Sequence, residues 1–351
     1  MRGHVPPRAD LRRAVTMPRP APGAKRRSPQ ALAPAGHCRY ADADLIEGAR
    51  AMSSPTASVV CAGLATVDML MHVPDPIIAG AKHRARDSAI TTGGSAANAA
   101  AAVARLGGHA LIAAVIGDDM FGDLLRADVA AMGADEALLQ VRPGLPTPRS
   151  AVLIDAAGER TIVNHRAADL HRGGLPLADP FPYRAALCDT RWPDGAADLM
   201  RAARAAGVPA VIDAEAPVRH AETALRRATH VAFSEQGLED FAGGVDAAAL
   251  ARAQAELGVW VCVTRGGAPV LVHDGAAVSE IATFPITPVD TLGAGDVWHG
   301  AFALALAEGR AEREAVRRAN AAAALKAAAH GGRRAIPDLP TLEAFLAQHP
   351  T

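Results

Sequence analysis

Residues 290–296 read DTLGAGD and stand directly before a long apolar stretch. Gly293, Ala294 and Gly295 have side chains too small to screen their backbone amides, and the first amides of a helix have no acceptor within it. The start of a helix also carries roughly half a positive elementary charge, so this segment has the makings of an anion site. Asp296 at its end can be read two ways. It is a base that takes a proton from an attacking hydroxyl, or an acid that simply favours the helix dipole.

A second pair of glycines, Gly93 and Gly94, precedes another helical stretch in TTGGSAANAAAAVARLGG. Their amides can approach a ligand, and Asn98 adds an amide with both donors and acceptors. Asp68, expected at the end of the first strand, can accept hydrogen bonds from two ligand hydroxyls. Open α/β sheets bind ligands beyond the carboxyl ends of their strands. Arg191, in CDTRWPDG, offers a planar donor fork suited to a carboxylate, phosphate or sulfonate. Its alternative is an ion pair with Asp189 or Asp194. His299, one turn beyond the anion site, reads as a packing or solvent-facing residue.

These residues need a scaffold, and the pattern supplies one. Short apolar runs at 58–63, 110–117, 185–189, 208–213, 229–234 and 259–264 alternate with helical patterns at 95–108, 121–133 and 194–207. Ser95 is the expected N-cap of the first of these helices. Strands that are apolar throughout, separated by helices, predict an α/β fold with a doubly wound, mostly parallel sheet flanked by helices. The alternation breaks after Gly63 and again at SAVLIDAAGERTIVNHR, which predicts a small separate β-layer. A hairpin is expected over 269–281 with a type I′ turn at Asp274–Gly275, and helices over 293–308, 312–329 and 340–348.

GGSAANAAAAVARLGG, IGDDMFG and DTLGAGDVWHGAFALALAEG together resemble the signatures of the ribokinase-like, PfkB-type carbohydrate kinases, over about Val59 to Leu346. The resemblance implies ATP-dependent transfer of the γ-phosphoryl to a sugar hydroxyl, Mg²⁺ as cofactor, a ribokinase-like α/β domain with a small β-sheet lid at about 66–91 and 148–168, and a homodimer through that lid. It implies that Asp296 is the catalytic base, that Gly293, Ala294 and Gly295 form the anion hole, and that Asp68, Gly93, Gly94 and Asn98 contact the sugar. VTRGGAPV resembles the family's nucleotide-phosphate loop, which implies roles for Thr264, Gly266 and Gly267. ANAAAALKAAAHGG resembles the segment lining the adenine pocket, with Asn320 and Gly331. The family often carries Asn-x-x-Glu to organise Mg²⁺; here SEQG puts Ser234 and Gly237 at those positions, with Asp213 and Glu235 as substitutes. The stretches around Arg191, Asp213 and Asp296 look most like the 6-deoxy-6-sulfofructose kinase branch, which implies a ketose carrying an anionic group. A nucleoside kinase of the same fold and a non-catalytic sugar-binding sensor are the other readings.

Composition excludes several classes. The formal net charge is -1 and aromatic residues make up 3% of the chain, which gives no general attraction to nucleic acid and no base-stacking surface. No apolar run is long enough to span a bilayer. Four scattered cysteines, Cys38, Cys61, Cys188 and Cys262, form no metal-binding or disulfide pattern and suit a cytoplasmic protein. Residues 1–56 are rich in Pro and Arg and read as a disordered basic extension, with Met52 an alternative start and 57–351 the kinase domain. A targeting peptide or a nucleic-acid arm are further readings of that extension.

Overall fold

The structure, a computed structural model, describes residues 56–350 except 79, 157 and 158. The expected extension up to residue 55, with Cys38 and Met52, lies outside the described residues.

The chain begins β1 (Ser58–Gly63), β2 (Thr66–His72), β3 (Asp87–Gly93), α1 (Ser95–Arg105), β4 (His109–Gly117) and α2 (Met120–Ala131). It continues through β5 (Gln140–Arg142), β6 (Arg149–Ile154), β7 (Arg160–His165), β8 (Ala185–Cys188), α3 (Pro193–Ala205) and β9 (Ala210–Ala214). Then come α4 (Glu222–Leu225), β10 (His230–Ser234), α5 (Glu235–Ala242), α6 (Ala247–Leu257), β11 (Trp260–Arg265), β12 (Ala268–His273) and β13 (Val278–Ile281). It closes with α7 (Ala294–Ala307), α8 (Glu312–Ala327) and α9 (Leu339–Gln348).

Among the described residues a nine-stranded sheet runs β13-β12-β11-β10-β9-β8-β1-β4-β5, parallel from β11 to β5 and antiparallel at β12 and β13. Its strands are apolar on both faces because both are covered. Val59 and Cys61 of β1 enter the core built with α1, α7 and α8, while Val60 and Ala62 enter the core built with α3, α5 and α6. This is the doubly wound arrangement the alternation predicts. The two breaks in that alternation pair with each other as a separate four-stranded sheet, β3-β2-β6-β7.

Local details depart from the sequence reading. The N-cap of α1 is Gly94, with φ +94°, and Ser95 is the first helical residue. A Cβ on Gly94 would lie 2.3 Å from the Leu64 carbonyl oxygen, so only glycine fits there. The helix ends at Arg105, short of the glycine pair. The β12–β13 turn is not type I′. Asp274 keeps a negative φ because its Oδ1 accepts from the amides of Ala276 and Ala277 at 2.9 and 3.1 Å, and the loop widens to four residues. The three-residue edge strand β5 was not foreseen; it is too short to show a period.

No helix among the described residues is long and apolar enough to cross a membrane.

Candidate active site

In the main sheet β1 lies between β4, which follows it in the chain, and β8, to which the chain returns after its excursion. A crevice opens beyond the carboxyl ends of strands at such a reversal. Asp189, the residue after β8, sits there with 4% of its surface exposed. Its carboxylate accepts from the Leu64 amide at 2.7 Å, the Arg191 amide at 2.8 Å and the Ser95 hydroxyl. One buried side chain thus ties together the exit from β1, the start of α1 and the start of the β8–α3 loop. Burial raises its pKa against these three donors. Gly63 is required beside it, since a Cβ there would meet the carboxylate at 2.2 Å.

Helix α7 points its first turn at the same crevice. Gly293, with φ +75°, caps it, the Ala294 amide bonds the Thr291 carbonyl at 3.2 Å, and the Val297 amide bonds the Gly293 carbonyl at 3.0 Å. The amides of Gly295 and Asp296 have no acceptor among the described residues. A Cβ on Gly295 would meet nothing within 4 Å, so there is open space beside the two free amides. Of the amides that the resemblance assigns to an anion hole, which include that of Asp296, the Ala294 amide is engaged, and those of Gly295 and Asp296 are free.

Asp296 is half-buried and lines the crevice together with Asp189, Asp213, Ser95 and His299. Asn98 Nδ2 donates to its Oδ2 at 2.6 Å. The approach of α1 to α7 makes this bond: a Cβ on Gly300 would lie 2.5 Å from the Ala99 carbonyl oxygen, so glycine allows the two helices to touch. Burial, and next the Asp213 carboxylate, push the Asp296 pKa up to about 6, against the Asn98 bond and the charge of His299.

His299 is neither solvent-facing nor a bare packing residue. It is 4% exposed, and its Nε2 lies 3.1 Å from Asp213 Oδ1. Burial opposes its charge, but the carboxylates of Asp213, Asp296 and Glu215, Asp213 foremost, together raise its pKa. Arg191 pairs with neither Asp189 nor Asp194. Its Nη2 donates to Glu215 Oε2 at 2.6 Å and its Nη1 to the Ala216 carbonyl at 3.1 Å.

Asp68 does not end the first strand. It lies on β2 of the small sheet, opposite Thr91, with Ser150 of β6 donating to its carboxylate. Gly93 packs against it, and a Cβ at Gly93 would meet Asp68 Oδ2 at 2.5 Å. Arg333, in the 3-10 turn Gly332–Ala335, reaches this region. Its Nε donates to Asn98 Oδ1 at 2.6 Å and its Nη1 to Thr92 Oγ1 at 2.8 Å, and it pairs with Asp128 of α2.

The other expected contacts lie elsewhere. Thr264 is the next-to-last residue of β11, and Gly266 and Gly267 form the exposed β11–β12 turn, where an added Cβ would meet nothing within 4 Å. Asn320 is buried, with its Oδ1 accepting from Trp298 Nε1 at 2.7 Å and its Nδ2 donating to the Ala282 carbonyl at 3.0 Å. That pairing braces α7 against α8. Gly331 is exposed, with φ +125°, at the mouth of the 3-10 turn. Ser234 caps α5 by accepting from the Gly237 amide at 3.0 Å, and a Cβ on Gly237 would fall 1.8 Å from the Ala214 carbonyl oxygen, so no glutamate fits there. Glu235 is exposed on α5, and Asp213 is held by His299. Among the described residues no three His, Cys, Asp or Glu side chains gather as metal ligands.

Residues 56–339 match the pfkB family of carbohydrate kinases. The chain belongs to this family. As a pfkB-family member it is a sugar-kinase phosphotransferase, with an alcohol group as acceptor. It is 28% identical to the ribokinase of Bacillus subtilis (strain 168) over 267 residues, covering 72% of this chain and 87% of that one. It superposes on a candidate ribokinase from Agrobacterium tumefaciens with a TM-score of 0.79 at 35% identity, covering 84% of this chain and 98% of that one. The fructokinase of Xylella fastidiosa, solved with bound ATP, gives a TM-score of 0.67 at 25% identity over 83% of this chain and 98% of that one.

In this pfkB-family chain, sequence reasoning missed Arg333, Thr92, Asp128 and Glu215. None carries a local signal: Arg333 is one of two adjacent arginines in HGGRRAIP, and only its partners, 205 to 241 positions away, distinguish it.

Proposed function

We propose that the protein transfers the γ-phosphoryl of ATP to a hydroxyl of a ketose, with Asp296 as the base. The observation that carries this reading is the Asp296 carboxylate standing beside two free amides at the mouth of α7, in a crevice it shares with Asp189 and Asp213. The acceptor hydroxyl faces Asp296, which takes its proton as the new O–P bond forms and the bond to ADP breaks. The amides of Gly295 and Asp296, aligned with the α7 dipole, stabilise the negative charge on the transferred group. A base so placed contributes about 10²- to 10⁴-fold. Asp68, Gly93, Gly94 and Asn98 hold the sugar. Thr264, Gly266, Gly267 and Gly331 line the donor side. Mg²⁺, when bound, would supply positive charge to the donor phosphates; such an ion keeps several waters and one or two protein contacts, which suits a site where no carboxylate cage is found among the described residues.

Family membership and the likeness to an ATP-bound fructokinase support ATP as donor. For the acceptor, the leading proposal is a ketose with an anionic group, such as 6-deoxy-6-sulfofructose, read by Arg191. The support is a guanidinium near the crevice whose partner, Glu215, is half exposed and replaceable by a ligand anion. A nucleoside acceptor is less favoured because Trp192 and Trp298 are buried at 0% and 3% exposure, so neither offers a face for a base. We also propose that the outer face of the small sheet pairs with a second copy. Met69, Ile90, Ala151 and Val163 align across its four strands, and Ile90 and Val163 are 60% and 66% exposed.

The test is ADP release with Mg·ATP and a panel of ketoses, aldoses, sugar phosphates, sulfosugars and nucleosides, with Asp296→Asn as the blank. ADP release with one acceptor class that vanishes in the blank supports the reading. Ligand binding without ADP release would leave a sensor.

A further inference from the structure

Arg333 is bonded to Asn98, which donates to Asp296, and to Thr92, the neighbour of the Gly93 that packs against Asp68. Its side chain is 11% exposed. Burial lowers its pKa, while the charges of Asp128, Asp296 and Asp68 each pull it back up, so all three carboxylates are near the guanidinium. A guanidinium carries five N–H donors in a fixed plane. Here Nε is committed to Asn98 and Nη1 to Thr92 and Asp128. Nη2 is buried with no hydrogen-bond partner.

A buried unpaired donor on a charged group is costly and rare in a finished structure. The cost is relieved if a ligand supplies the acceptor. The position of this guanidinium narrows the choice of ligand. Asp68 stands on the small sheet, Asp296 at the mouth of α7, and Arg333 is within electrostatic reach of both. A sugar that bonds Asp68 while presenting a hydroxyl to Asp296 lies against the same guanidinium. The two bonded arms also make Nη2 rigid, because the planar fork cannot rotate while Nε and Nη1 are held. The Nε bond has a further effect. By occupying Asn98 Oδ1 it orients that amide so that Nδ2 faces Asp296.

We propose that Arg333 is an acceptor-binding residue, with Nη2 donating to an oxygen of the sugar held between Asp68 and Asp296. This rests on the placement of the sugar proposed above, and it assigns Arg333 a selectivity role beyond that reading. A hydroxyl, carbonyl or charged oxygen suits Nη2; an acceptor lacking an oxygen at that position leaves the donor unpaired and is disfavoured.

The experiment measures sugar affinity in the Asp296→Asn background, so that binding is read apart from turnover. D-fructose, D-ribose and their monodeoxy analogues are titrated by calorimetry into Asp296→Asn and into Asp296→Asn with Arg333→Lys. The lysine keeps the charge but loses the fork. The expected result is a loss of affinity of about 10- to 100-fold for the parent sugar, the usual range for a hydrogen bond from a charged group. One monodeoxy analogue should bind both proteins equally, because it lacks the oxygen that Nη2 contacts. Equal affinity of both proteins for the parent sugar, or the same loss for the parent and every analogue, would overturn the proposal and make Arg333 a structural brace. Should the lysine variant not fold, a crystal structure of the Asp296→Asn protein with the sugar decides the matter: an acceptor oxygen within hydrogen-bond distance of Nη2 upholds the proposal, and its absence refutes it. Persisting ADP release by Asp296→Asn would instead refute the base, independently of the affinity ratio.

Discussion

The amide of Asn98 and the carboxylate of Asp296, 198 positions apart in sequence, meet at 2.6 Å where α1 crosses α7. The contact joins an expected sugar-side residue to the proposed base, and it lowers that base's proton affinity. Asp296 is held at a pKa of about 6 by burial and by Asp213, with Asn98 opposing both.

Catalysis by this carboxylate needs its charged form. kcat/KM should therefore fall about tenfold per pH unit below about pH 6 and level off above it. Asn98→Ala removes a donor that favours the charge, so the acid limb should move to higher pH. The pH–rate profile checks this, and an unmoved limb would show that Asn98 does not tune the base.

The same shift predicts a cost in stability. The folded pKa of about 6 lies above the ordinary aspartate value of 3.8, so between these pH values the native state binds more protons than the unfolded chain. Stability from this group is present at low pH and is lost as pH rises towards 6. Asp296→Asn should be more stable than the parent at pH 7.5, by an amount of the order of 1 kcal/mol, with the gain shrinking towards pH 4. Thermal melts of the two proteins at both pH values test it; a less stable variant at pH 7.5 contradicts the assignment.

Gly300 allows the α1–α7 approach, and Gly300→Val should cost about 1–3 kcal/mol through overpacking against the Ala99 carbonyl. Because the strain falls one turn from Asp296, the acid limb should also move up as the Asn98 bond lengthens. Melting and the pH profile read the two effects separately. A destabilised protein with an unchanged profile would mean that α1 and α7 yield elsewhere.

Lys326, 1% exposed, bonds both the carbonyl and Oδ2 of Asp290 at 3.0 Å and so pins the start of the DTLGAGD loop. Lys326→Met should destabilise by about 3 kcal/mol, the low end for a broken buried pair because Asp290 keeps some solvent. Adding Asp290→Asn should recover part of that loss. Denaturant melts of the single and double variants measure it, and equal losses in both would rule out the ion pair as the cause.

Arg191→Ala should raise KM for an anionic ketose and leave a neutral one nearly unchanged. Steady-state kinetics with 6-deoxy-6-sulfofructose and fructose decide it. Equal effects on both would confine Arg191 to its contacts with Glu215 and the Ala216 carbonyl.

Much of the scaffold is written locally. Apolar runs such as Val59–Ala62 and Ala110–Ile116 are continuous because each strand is covered on both faces, and that pattern needs no knowledge of the partners. The two breaks in the alternation were visible for the same reason. The free amides at the start of α7 were legible too, since small residues at a helix start determine where such amides lie. Turn details were less so: Asp274 adopts an ordinary φ because its own side chain takes two amides, a competition that turn preferences do not resolve.

The sequence by itself thus determined the fold class, the small second sheet and the glycine-rich helix mouth with its aspartate, all set by interactions within about one element's length. Only the tertiary structure decided which charges meet. Asp68 on the small sheet rather than at the end of β1, His299 paired with Asp213, Arg191 with Glu215, and Arg333 against Asn98 and Asp128 depend on side chains that strand order and helix crossing bring together. Electrostatic and hydrogen-bond partners act through space over a few ångströms, and separation along the chain carries no record of that distance.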